Sequence, residues 1–218
     1  SSEVYGEPIE NPVTEKEITK GKTVYAVSKL AGEELVKAYY DEFEIDYTIL
    51  RYFNTYGPHQ VSQFVIPKFI HMVSNNRPPV IYGDGSQERS YNFSKDSASA
   101  TIKALVSKKT NSKVLNIGNS KELINLKDLA NLVIKVCSKN KKLKPIIRSD
   151  FKKTDRKKDR EINTRFCSTE LAKKLIGYEP KTKLEIGIRQ VFKTGVLKNK
   201  WATSERDYFI DDYLSEKF

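Results

Sequence analysis

Between Thr23 and Phe43 the apolar residues Val24, Val27, Leu30, Ala31, Leu35, Ala38 and Tyr39 recur at three- and four-residue spacing, the pattern of an amphipathic helix. Close behind it, Tyr47-Thr-Ile-Leu-Arg-Tyr-Phe53 is short, β-branched and aromatic, and it stops at the turn sequence Asn54-Thr-Tyr-Gly-Pro58. Such a run predicts a strand. A helix followed at once by a mostly apolar strand is the half-unit of a parallel α/β sheet, whose strands are covered on both faces.

The alternation continues along the chain. Phe64 to Val73 predicts a helix with Pro67 in its first turn, and Val80-Ile-Tyr82 a strand closed by Gly83-Asp-Gly85. A helix from Ser94 through Ala98, Ile102 and Leu105 leads to a strand at Val114-Leu-Asn-Ile117. Leu126 to Val136 is strongly periodic, Ile146-Ile147 fits an edge strand, and Ser168 to Ile176 fits a helix stopped by Gly177. Thr182-x-x-Glu185 has the spacing of a capping box that opens a last helix. Val4-Tyr5-Gly6 reads as a strand end, Ser149 to Arg165 as a charged loop, and the acidic tail after Trp201 as poorly ordered.

Charge narrows the partners. The 218 residues carry a formal +11, distributed as −3 over 1–107, +17 over 108–200 and −3 over 201–218. No zinc-finger spacing, aromatic RNP-like strand or helix-turn-helix pattern accompanies the basic region, so it is expected to be a solvated face and not a nucleic-acid site. An anionic small-molecule substrate would use part of the same charge. No apolar run approaches the ~20 residues of a membrane span, and SSEVYGEPIE lacks the layout of a signal peptide. A cytoplasmic protein without a membrane partner is expected. Cys137 and Cys167 stand without a CxxC, which favours free thiols and no metal site.

Tyr25-Ala-Val-Ser-Lys29 places a phenol and an ammonium four residues apart, on one face of the helix. A phenol titrates near 10 and an adjacent cation lowers such a value by about 1–3 units. A tyrosine so placed can take a proton from a sugar hydroxyl while hydride leaves the same carbon. The spacing alone is shared with many ordinary helix surfaces.

Its surroundings are more specific. The pair lies in Tyr25-Ala-Val-Ser-Lys-Leu-Ala-Gly-Glu33, after Ser1-Ser-Glu-Val-Tyr-Gly6 and before Arg51-Tyr-Phe-Asn-Thr-Tyr-Gly-Pro58. Ile66-Pro67-x-Phe69-Ile70, Ile81-Tyr-Gly-Asp-Gly-Ser-Gln-Glu-Arg89, Asp96, Asn116-Ile-Gly118 and Leu175-Ile-Gly-Tyr-Glu-Pro180 follow in order. Over residues 1 to about 195 this resembles the extended short-chain dehydrogenase/reductases that act on nucleotide sugars: UDP-glucose 4-epimerases, sugar 4,6-dehydratases and UDP-glucuronate decarboxylases. The resemblance implies the C-terminal part of a Rossmann-type doubly wound parallel sheet plus a smaller α/β substrate-binding domain. It assigns 1–57 and 94–123 to the NAD-binding domain, 58–93 and 124–200 to the substrate domain, and 201–218 to a tail.

The resemblance also implies roles. Ser1 would hydrogen-bond the reacting hydroxyl, Tyr25 would be the acid/base, Lys29 would hold the nicotinamide ribose, and Glu3 would join this catalytic group. Tyr25, Lys29, Tyr52 and Phe53 would line NAD, the cofactor. A UDP-sugar would be held by Asn54, Val65, Val80, Tyr82, Arg89, Arg156 and Asp159, with Arg160 and Arg165 as alternatives to Arg156; arginine suits phosphate through its planar fork. A homodimer is implied for the full-length enzyme. Ser2 stands where dehydratases carry an acid, whereas Ser2-Glu3 and Arg89 fit decarboxylases, and many epimerases also carry Ser-Glu there. UDP-hexose 4-epimerisation ranks first and decarboxylation second; sugar 4,6-dehydration and a non-catalytic relative of the fold rank lower. Ser90 and Ser94-Lys95-Asp96 depart from the family's usual acidic residue and Val-x-Asp.

No GxxGxxG dinucleotide loop occurs in the 218 residues, so the chain reads as lacking the first half of its cofactor domain. The stripe from Val24 to Tyr39 and the strand 47–53 are patterned for cover on both sides. Expressed alone, the chain is expected to be poorly soluble, partly unfolded around residues 1–57 or self-associated, and not to bind NAD measurably. Calorimetric titration with NAD checks this; a cooperative monomer with an affinity on the order of micromolar would refute it.

Overall fold

The computed structural model describes residues 1–140, 142–148 and 162–194. In chain order the strands are β1 (Thr48–Tyr52), β2 (Thr55–Tyr56), β3 (Val80–Tyr82), β4 (Glu88–Ser90), β5 (Asn92–Phe93), β6 (Lys113–Ile117), β7 (Leu123–Asn125), β8 (Ile146–Arg148) and β9 (Thr164–Arg165). The helices among these residues are α1 (Val24–Phe43), α2 (Val65–Ser74), α3 (Ser94–Leu105), α4 (Leu126–Cys137), α5 (Glu170–Ile176) and α6 (Leu184–Thr194). The result is an α/β fold in which β1–β6, β3–β8 and β4–β9 all pair in parallel. None of these helices is long and apolar enough to cross a membrane. Two compact units result, Ser1–Thr55 with Glu88–Leu123 and Ile162–Thr182, and Tyr56–Gln87 with Ile124–Glu161 and Lys183–Phe218.

In the first unit β1 and β6 run in register from Thr48↔Lys113 to Tyr52↔Ile117. Side chains alternate along a strand. Leu50 and Tyr52 accordingly join Ala100 of α3, Leu115 and Ile117 of β6, Ala172 of α5 and Tyr178 in one apolar cluster. Arg51, between them, is buried against Glu33 of α1 and Tyr5 instead. A second cluster joins Val4, Tyr5, Val13, Phe53 and Cys167. Gly118 permits that packing, since a Cβ there would fall 2.4 Å from the Cys167 sulfur and 2.9 Å from the Phe53 Cβ.

The second unit pairs β3 with β8 and packs α2, α4 and α6 against one another. Their three- and four-residue apolar spacing supplies the contact: Ile66, Phe69, Ile70 and Val73 of α2, Leu129, Val133 and Ile134 of α4, and Leu184, Ile188 and Val191 of α6 are buried.

Several local expectations are corrected. Val4-Tyr5-Gly6 does not end a strand: Ser2–Tyr5 is a 3₁₀ turn, capped by the Ser1 hydroxyl and closed by Gly6 at φ 62°. A Cβ at Gly6 would sit 2.3 Å from the Lys20 carbonyl oxygen, so only glycine fits this bend without strain. The last two residues of the expected loop 149–165 form β9, while 149–161 lie outside the described residues. α5 starts at Glu170, two residues later than expected. The capping box does not form. Thr182 N–H donates to Asp96 Oδ2 at 2.9 Å, and Glu185 pairs with Lys135 and Arg189 on the helix surface.

α1 buries only Ala26 and Glu33, whereas Val24, Val27, Leu35, Tyr39 and Phe43 of its apolar stripe are exposed.

The segment before α1 is strapped to β6 by Glu15, whose Oε1 accepts the Asn116 N–H at 2.7 Å. Burial holds the Glu15 carboxyl above its ordinary value of 4.5, against the opposing pull of that hydrogen bond and of Arg51. Between the ordinary and raised values the folded state binds more protons than the unfolded chain, so stability falls as pH rises through that window. Glu15→Gln keeps an acceptor for Asn116 and removes the half-buried charge. It is expected to be more stable than the parent at pH 8 and to lose that advantage below the ordinary value of 4.5, as urea unfolding at the two pH values would read.

Candidate active site

The first turn of α1 is fixed by Thr23, whose Oγ1 accepts the Ala26 N–H at 3.1 Å. Ala26 is fully buried, which turns its neighbour Tyr25 outward, 53% exposed. One helical turn on, the exposed Lys29 sets its Nζ 5.2 Å from the centre of the Tyr25 ring. Ser1, at the head of the Ser2–Tyr5 turn, accepts the Glu3 N–H at 3.3 Å. Lys29, Glu33, Arg51 and Glu3 all lie within electrostatic reach of the Ser1 backbone nitrogen. The first unit therefore brings Lys29 and Glu3 within electrostatic reach of Ser1, with Tyr25 beside Lys29.

Beneath this neighbourhood lies a buried polar network that no sequence motif assigns. Arg51 donates from Nε and Nη2 to the two Glu33 carboxylate oxygens at 2.9 and 2.6 Å, and from Nη1 to the Tyr5 hydroxyl at 2.8 Å. The Tyr5 hydroxyl donates in turn to Asn116 Oδ1 at 2.7 Å. Burial opposes the Arg51 charge, but the bonds to Glu33 and Tyr5 outweigh it, and the guanidinium titrates above the usual arginine range. Burial likewise raises the Tyr5 phenol, with Arg51 pulling the other way. Two signals for this network were present: Glu33 follows Tyr25 and Lys29 at the same four-residue step, and Arg51 is the lone charge in an apolar strand.

Glu3 is held by a second guanidinium. Arg165 of β9, 2% exposed, ion-pairs with Glu3 Oε1 and donates from Nη1 to the Gly6 carbonyl at 3.2 Å. Its Nε is buried without a hydrogen-bond partner. The other sequence-assigned positions scatter more widely. Phe53 is buried in the core beside Tyr5, ring centres 5.9 Å apart, and the Tyr52 hydroxyl bonds Thr101 Oγ1 at 2.6 Å. Asn54, at φ 35°, donates to the Ser90 carbonyl at 3.0 Å. The Arg89 guanidinium donates to the backbone carbonyls of Ile162, Asn163 and Glu88. Val65, Val80 and Tyr82 belong to the second unit, where the Tyr82 ring lies 5.8 Å from Lys68 Nζ. Arg156, Asp159 and Arg160 lie outside the described residues. No group of three or more His, Cys, Asp or Glu side chains among the described residues could hold a metal ion.

Residues 1–191 match the GDP-mannose 4,6-dehydratase family model. Over 123 residues the chain is 34% identical to the dTDP-D-glucose 4,6-dehydratase of Homo sapiens, a match covering 56% of this chain and 35% of that protein. The structure of UDP-glucose 4-epimerase from Thermotoga maritima with UDP-glucose superposes with a TM-score of 0.79 at 26% identity, over 88% of this chain and 60% of that one. The UDP-glucuronic acid 4-epimerase of Bacillus cereus, in complex with UDP-glucuronic acid and NAD, gives 0.78 at 29% identity, over 89% and 59%. The chain thus spans less than two thirds of each of these proteins.

Removing the Glu3 charge leaves the Arg165 guanidinium buried and unpaired. Glu3→Gln is expected to destabilise the protein by about 2 kcal/mol, less than the ~3–5 typical of breaking a fully buried pair, because the Glu3 side chain is 37% exposed. Glu34→Gln, which breaks the exposed Lys37–Glu34 pair, should change stability by less than ~1 kcal/mol. Urea unfolding of the two variants side by side makes the comparison.

Proposed function

The chain belongs to the NAD-dependent nucleotide-sugar epimerase/dehydratase family of extended short-chain dehydrogenase/reductases, and on that premise we propose that the whole protein interconverts a UDP-hexose with its C4 epimer. The observation that carries this reading is the Tyr25–Lys29 pair, exposed on one helix face with the ammonium 5.2 Å from the ring and Ser1 nearby. These groups suit NAD. The Lys29 ammonium is a donor without a carboxylate partner among the described residues, free for ribose hydroxyls, and Tyr25 stands open beside it. NAD, when bound, would accept hydride from the sugar and return it.

In this reading Ser1 orients the C4 hydroxyl and Tyr25 removes its proton as hydride leaves C4. The same phenol returns the proton when hydride re-enters from the other face, so protons and electrons balance over the cycle. Asn54 and Arg89 are assigned to the diphosphate. Elimination across C5 and C6 would need a free acid and base next to Ser1. Ser2 supplies no acid and Glu3 is engaged by Arg165, which favours epimerisation over dehydration.

Tyr25→Phe removes only the proton-transfer group. Turnover of UDP-galactose by the whole enzyme is expected to fall by at least about 10²-fold with substrate KM little changed. Near-normal turnover would show that Tyr25 is not the base. Release of carbon dioxide from UDP-glucuronate, with no epimerisation of UDP-galactose, would replace this reaction with decarboxylation.

A further inference from the structure

We infer that Arg51 is a positioning residue, which sets the placement of Ser1 relative to Tyr25 and Lys29 through its fork onto Glu33 and its hydrogen bond to Tyr5. The inference rests on the function proposed above and concerns a residue outside the reacting groups.

Three features carry it. First, few side chains define the axial position and rotation of α1: Ala26 and Glu33 are its only buried residues, and Leu30 is half-buried against the Val4–Tyr5–Phe53 cluster. An apolar stripe tolerates small slips; a bidentate guanidinium–carboxylate pair does not, since both N–H···O lines fail together when the helix turns. Second, Glu33 lies on the buried side of α1 with Ala26, two turns along the same helix from Tyr25, so a rotation of α1 that moves Glu33 also moves Tyr25 and Lys29. Third, the remaining Arg51 nitrogen, Nη1, donates to Tyr5, the last residue of the turn that Ser1 caps. One side chain on β1 thereby grips both pieces of the catalytic group.

The grip is itself anchored. Tyr5 bonds Asn116 of β6, Asn116 Nδ2 bonds the Val13 carbonyl at 3.1 Å, and β1 pairs with β6 over five residues. Arg51 also lies 4.8 Å from the Tyr5 ring centre, which adds a cation–π contact to the hydrogen bond. The Lys20 N–H to Val4 carbonyl bond of 2.9 Å holds the turn from its other side without involving α1. Arg51 is thus the described side chain that hydrogen-bonds both α1 and the turn.

Two variants of the whole, NAD-loaded enzyme separate positioning from mere stability. Tyr5→Phe keeps the ring, its packing on Phe53 and the Arg51–Glu33 pair, and removes the hydroxyl through which Arg51 and Asn116 hold the turn. Arg51→Lys keeps the charge and loses the fork. In both, kcat for UDP-glucose is expected to fall about 10- to 100-fold, the loss typical of a misplaced reacting group. KM, and NAD affinity measured by calorimetry, should stay within about threefold. The primary isotope effect with C4-deuterated UDP-glucose should rise as hydrogen transfer becomes limiting. A Tyr5→Phe enzyme with kcat within about twofold of the parent would overturn the inference. Tyr25→Phe, assayed alongside, tells this failure apart from failure of the proposed function, because its activity does not depend on whether Arg51 positions anything.

Discussion

A cation buried in the middle of a strand is the constraint on which the first unit depends. Arg51 is 6% exposed and Glu33 7% exposed, so neither charge is solvated and each is tolerated only because the other is there. The strand can carry the arginine because residues alternate between faces. Leu50 and Tyr52 meet the apolar cluster of α3 and α5, which leaves the intervening position facing α1. Bulk hydrophobic burial would be served better by a valine at that position. What the arginine adds is direction, through three hydrogen bonds to two different elements.

That choice explains an odd property of α1. Its periodicity is strong enough to announce a helix, yet most of the apolar face implied by that periodicity is in solvent, Leu30 alone of the stripe packs on the core cluster, and its buried residues are an alanine and a glutamate. Helix periodicity measures how residues are distributed around an axis, not which side meets the rest of the fold. The inward side of α1 is chosen by the ion pair. The chemically interesting side chains, Tyr25 and Lys29, share the rim of that side and remain accessible.

The same distinction governs what could be read in advance. Elements stabilised by their own pattern were legible: α1, α3, α4, β1, β3 and β6 lie within a residue or two of where apolar spacing and turn residues place them. Elements defined by a distant partner were not. Val4-Tyr5-Gly6 has strand-like residues but bends because the Lys20 carbonyl packs against Gly6 and Arg165 draws on the Gly6 carbonyl. β9 is two residues long and exists through its pairing with β4, across more than seventy residues of chain. Thr182 and Glu185 satisfy the spacing of a capping box, but Asp96 offers the Thr182 N–H a carboxylate and two cations offer Glu185 theirs. Among the candidate site residues, the proximity of Tyr25 and Lys29 was legible because helix geometry alone brings them together. The partners of Glu3 and Tyr5 are 162 and 46 positions away, and no local rule reaches them.

The two buried arginines also order the charges around the site. Arg51 is matched by Glu33 and Arg165 by Glu3, so each guanidinium is neutralised where it lies beneath the Ser2–Tyr5 turn. Lys29 has no such carboxylate among the described residues, and its ammonium sits over the Tyr25 ring. A pair of opposite charges a few ångströms apart presents a field that decays faster with distance than that of a lone charge. Lys29 is therefore the cation set directly beside Tyr25 with no paired carboxylate among the described residues. A site built this way can keep arginine for rigidity and lysine for electrostatics, with the two tasks assigned to different residues. Under the proposed function, moving the Lys29 charge would change the chemistry, whereas loosening Arg51 would change the geometry of the group around it.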